Sequence, residues 1–129
     1  MISQFAEELY NKSLQLKKYT SGNLLFKKNR LLLEKQLNEL KDIVEKITSA
    51  LRSNPNYSNK YFELALFMSH SLSECLVLLH SKGKRDRETV QRYIWGFHNL
   101  PKAFFSLNNR MRISPEEALE YYKPYLKMD

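Results

Sequence analysis

Phe26, Leu33, Leu37, Leu40, Val44, Ile47 and Leu51 recur at steps of seven, four and three, with Arg30 at the one polar position. Such steps bring every apolar side chain to one narrow stripe of an α-helix. The residues between are mostly charged: Lys27, Lys28, Glu34, Lys35, Glu39, Lys41, Asp42, Glu45 and Lys46. The spacing predicts a helix over residues 23–53. A helix of ~30 residues is ~45 Å long, more than the width of a compact bundle of this size. It must protrude, break near residues 21–26, or pair with a second copy along the seam.

The rest of the chain repeats the helical period. Ile2, Phe5, Ala6, Leu9, Ser13 and Leu16 predict a first helix over residues 2–19, stopping near Gly22. Ser21 or Asn23 then caps the helix that carries the seam. Pro55 lies in Ser53-Asn54-Pro55-Asn56 and cannot continue a helix, which makes this the strongest loop signal. A third helix is expected over residues 58–81. Its apolar positions (Tyr61, Leu64, Ala65, Phe67, Met68, Leu72, Cys75, Leu76, Leu78 and Leu79) cover more than one stripe. Asp86 is expected to cap a fourth helix, with Val90, Tyr93, Ile94 and Phe97 facing inward and Pro101 ending or kinking it. Ser114-Pro115-Glu116-Glu117 reads as a capped start for a short last helix reaching Tyr122. No alternating strand pattern of useful length occurs. The expected fold is all-α, an antiparallel bundle of about four long helices plus a short C-terminal helix, in one domain over residues 1–129.

Composition excludes several chemistries. One Cys makes no internal disulfide and no Cys-rich zinc site, and 3 Gly are too few for a Gly-rich phosphate cradle. His70 and His80 do not form an i, i+4 pair, and no Glu-x-x-His motif is present, so neither a metal nor a cofactor is expected. Cys75, mid-helix on an apolar stripe, reads as a small buried hydrophobe. The N-terminus has no basic n-region, and no uninterrupted apolar run approaches the roughly 18–20 residues of a spanning helix. A cytoplasmic protein, peripheral to a membrane at most, is expected.

The net charge of +7 is unevenly spread. Residues 12–60 carry +7 and residues 82–112 carry +6, while the three remaining stretches are each −2. A basic excess favours nucleic acid, an anionic membrane surface or an acidic protein, although a solvated coat that keeps the chain soluble gives the same count. The second basic tract is the more informative. Lys84, Arg85, Arg87 and Arg92 precede or flank Trp95, the one Trp, which lies off the stripe of Val90, Tyr93, Ile94 and Phe97. Basic groups neutralise phosphates or carboxylates, and a Trp outside the core commonly anchors an interface. Lys84, Arg85, Arg87, Arg92, Trp95, His98, Arg110 and Arg112 are therefore the candidate binding residues. Gly96 within this helix points to close approach of a neighbour.

The segment Arg92-Tyr-Ile-Trp-Gly-Phe-His98 loosely resembles the Arg-x(4–6)-His motif of HEPN-type helical ribonucleases. The resemblance implies an RNA-directed site at a dimer cleft, with Arg92 and His98 as its pair. The residue after the Arg is usually polar in that family, and here it is Tyr93. In size, charge and helical character the chain also looks like bacteriocin immunity proteins. Read from its residues, it is a small non-catalytic interaction or regulatory protein. A protein or other acidic partner would bind the basic-aromatic surface of the fourth helix, and self-association through the second helix is a further option.

Overall fold

The computed structural model describes residues 2–20, 26–53, 59–81 and 83–101. These residues form four helices and no strand: α1 (Ile2–Thr20), α2 (Lys27–Arg52), α3 (Asn59–Leu79) and α4 (Lys84–Phe97). The all-α bundle expected from the periodicity is the observed fold. The expected helix at residues 114–122 lies outside the described residues, as do Gly22, Ser21 and Asn23.

Cross-helix contacts fix the direction of each neighbour. Phe5 of α1 meets Lys46 of α2, and Lys12 meets Glu39. One number rises by seven as the other falls by seven, which is an antiparallel pair. Arg52–Phe62 and Glu34–His80 relate α2 to α3 in the same way. Glu74–Tyr93 and Ser81–Asp86 do so for α3 and α4. Tyr10 and His98, with ring centroids 6.2 Å apart, bring α4 back to α1 and close the bundle.

The α2 seam forms the centre of this core. Leu33, Leu37, Leu40, Val44, Ile47 and Leu51 are all buried, with Ile43 beside them. They pack with Ala6, Leu9 and Leu16 of α1 and with Leu64, Ala65, Met68, Leu72, Cys75 and Leu79 of α3. Each fully buried Leu contributes roughly 1.5–3 kcal/mol. The chain's own helices α1 and α3 cover this seam. Ser13, buried on the same stripe as Leu9 and Leu16, satisfies its hydroxyl by donating to the Leu9 carbonyl at 2.6 Å.

Two helix starts differ from expectation. α2 begins at Lys27, preceded by Phe26 in extended backbone with no side-chain cap. The Phe26 carbonyl accepts from the Asn29 and Arg30 amides at 3.1 and 3.2 Å. Phe26 is therefore not a seam residue, and its side chain is 63% exposed. α4 begins at Lys84 with Gly83 at the cap position. Asp86 is the third helical residue and does not cap. Its carboxylate accepts the hydroxyl of Ser81, whose oxygen in turn accepts the Gly83 amide at 3.2 Å. The link Ser81–Gly83–Asp86 thus fixes the α3–α4 turn.

α2 runs unbroken for 26 residues, about 39 Å. Glu34 lies level with His80, just past the end of α3. The turn of α2 before it, Lys27–Arg30, therefore extends past α3. Phe26 is extended, so the helix expected over residues 23–53 is cut short at the break near residues 21–26. α3 itself, at 21 residues, is long and apolar enough to cross a membrane by length and composition. Leu64, Ala65, Met68, Leu72, Cys75 and Leu79 are buried in the bundle, while Leu66 and Val77 are exposed.

Candidate interaction surface on α4

Thr89, Val90, Ile94, Gly96 and Phe97 form the buried side of α4. At about 100° per residue, Trp95 lies diametrically opposite the middle of that side. It is 51% exposed, as its position off the apolar stripe predicts. Lys84 and Glu88 share the outward face with it, while Arg85 and Arg92 flank it on the side of α3. Arg87 and His98 lie on the other flank, toward α1, where the His98 ring meets Tyr10. Lys84 and Trp95 therefore share the outward face, with Arg85 and Arg92 on one flank and Arg87 and His98 on the other. Arg110 and Arg112 lie outside the described residues.

Carboxylates are interleaved with these cations. Lys84 pairs with Glu88 at 3.9 Å across one turn. An exposed i, i+4 pair of this kind contributes only about 0.3–0.5 kcal/mol. Tyr93 donates its hydroxyl to Glu74 of α3 at 2.8 Å. Burial first, and then that hydrogen bond and charge, raise the Tyr93 phenol above its usual 10.0. Thr89 donates to the Arg85 carbonyl at 2.9 Å, so a buried hydroxyl is satisfied within the helix. The surface is a mixed one, an indole surrounded by both signs of charge.

Arg92 and His98 lie about 120° apart around α4. They occupy opposite flanks and do not face one site within this chain. Among the described residues no group of three or more His, Cys, Asp or Glu is placed to hold a metal ion. Cys75 is buried against the core. Burial, and secondarily Glu74, push its thiol above the usual 9.0. An unfolded thiol loses its proton near its ordinary value while the folded one keeps it, so unfolding releases that proton. Stability should therefore fall as pH rises beyond about 9. Urea unfolding at pH 8 and pH 10 measures that slope, and Cys75→Ala should flatten it. A thiol reagent should label the native chain only at the rate of unfolding.

The bulky apolar cluster Phe26, Leu31 and Leu32 at the start of α2 is a surface feature that the seam pattern concealed. Leu31 is 48% and Leu32 is 43% exposed. Both are off the three-and-four stepping of the seam, which is the one signal that marks them in the sequence. No family model matches the chain, and no curated protein or solved structure is detectably similar to it.

Proposed function

We propose that this chain is a small non-catalytic binding protein that holds an acidic protein partner on the outward face of α4. The half-exposed Trp95 carries the reading. A large aromatic ring on the solvent side of a helix, beside Arg85 and Arg92, has the composition of an interface anchor. Lys84, Arg85, Arg87 and Arg92 are interspersed with Asp86 and Glu88. That mixture favours a protein surface with paired charges over a phosphate backbone, which rewards an unbroken run of cations.

Affinity capture from the native cell, with and without nuclease, tests this. The expected result is a protein partner retained after nuclease treatment and lost with Trp95→Ala. A partner released by nuclease would replace this reading with nucleic-acid binding. Retention by the Trp95→Ala variant would remove α4 as the site.

A further inference from the structure

We infer a second surface at the pole of the bundle where α2 and α4 begin: a docking site for an anionic lipid bilayer. The antiparallel order places both helix N-termini at this end, as the Glu34–His80 and Ser81–Asp86 contacts show. Bulky apolar side chains and cations are exposed there together. Phe26, Leu31 and Leu32 are 63%, 48% and 43% exposed, and Lys27, Lys28 and Lys35 are exposed among them. Within residues 26–35 the one acidic side chain, Glu34, is already paired with His80.

The charge pattern runs against helix electrostatics. An α-helix carries partial positive charge at its N-terminus, where Asp and Glu are favoured and Lys and Arg are not. The first turn of α2 has no acidic residue. It holds Lys27, Lys28 and Arg30, and its cap position has no side-chain hydrogen bond. α4 opens on Lys84 and Arg85, with Asp86 giving its first turn mixed charge. Fold stability does not ask for cations at these positions, whereas an anionic surface does. Exposed Phe and Leu beside Lys is the combination that binds the headgroup–acyl boundary, the rings and branched chains entering it while the ammonium groups meet lipid phosphates. Trp95 lies eleven residues along α4 from Lys84, about 16 Å away along the axis. A bilayer at the pole reaches the Lys84–Arg85 end of the proposed partner surface and leaves Trp95 and Arg92 open.

Flotation of the intact chain with phosphatidylcholine vesicles, with and without phosphatidylserine, tests the inference. Binding is expected only with phosphatidylserine and should weaken as salt is raised. Lys27→Gln with Lys28→Gln should weaken it about thirty-fold. Phe26→Ser with Leu32→Ser should also lower it, with unchanged circular dichroism, since both side chains are exposed. Trp95→Ala should leave it intact, so failure here and failure of the α4 reading are separately visible. Equal binding to neutral vesicles, no binding to either, or indifference to both sets of substitutions would overturn the inference. So would retention of the pole by soluble polyglutamate without vesicle binding, which would assign it to an acidic protein. A dimer in light scattering that Phe26→Ser reduces to monomer would assign it to a second copy.

Discussion

Leu37→Ala is expected to lower the unfolding free energy by about 2–5 kcal/mol, the range for truncating a fully buried Leu. Leu37 is fully buried at the middle of the α2 seam. Its neighbours on both sides of the stripe, Leu33 and Leu40, are buried with it, so the cavity has little room to collapse. Whole domains are stable by only about 5–15 kcal/mol, and the variant should lose a large share of that margin. The loss should be the same at low and high protein concentration. A seam shared between two chains would instead make the midpoint rise with concentration. Leu32→Ala, five residues earlier on the same helix, is the internal control. At 43% exposure it should change stability by no more than about 0.5 kcal/mol. Urea unfolding of both variants at two concentrations decides the matter; comparable losses at Leu32 and Leu37 would contradict the packing described above.

That contrast also shows what the sequence makes legible and what it does not. Stepping by threes and fours separates Leu33, Leu37 and Leu40 from Leu31 and Leu32, because the helical period alone decides which side each occupies. The same rule places Trp95 outside and Val90, Ile94 and Phe97 inside. It likewise passes over Leu66 and Val77, which are exposed on α3. Periodicity does not say whose surface the stripe meets. A seam compatible with a second copy is covered here by α1 and α3, a fact of the three connections and not of α2. Helix starts were less legible for a related reason. Asp86 has the right side chain for a cap, but Ser81, five residues earlier, takes that carboxylate as part of the turn. Phe26 continues the heptad spacing and yet is exposed, because its backbone is extended and it lies before the helix starts. Tyr93 and Glu74 are nineteen residues apart and meet only through the antiparallel packing of α3 on α4.

Trp95→Ala is expected to weaken binding of the partner by about thirty-fold or more, the scale of an interfacial Trp hot spot at about 2 kcal/mol. The same substitution should cost clearly less stability than the about 3–5 kcal/mol of truncating a core Trp. Half of the indole is already in water, and Ala is the better helix former by up to about 0.7 kcal/mol. Separation of the two readouts is the point of the test: a core Trp would lose stability and binding together. Arg92→Ala and Arg85→Ala should have smaller effects, mostly on the association rate and its salt dependence, because charges flanking an anchor steer more than they hold. Lys84→Ala should do less still, since Lys84 is already engaged by Glu88. Trp95→Phe should recover part of the loss, as a smaller ring still fills an aromatic pocket but gives up the indole N–H. If Trp95→Phe behaved like Trp95→Ala while Trp95→Ala remained fully folded, the indole N–H rather than the ring's area would carry the contact. The partner would then have to offer an acceptor at that point, which a carboxylate-rich surface does.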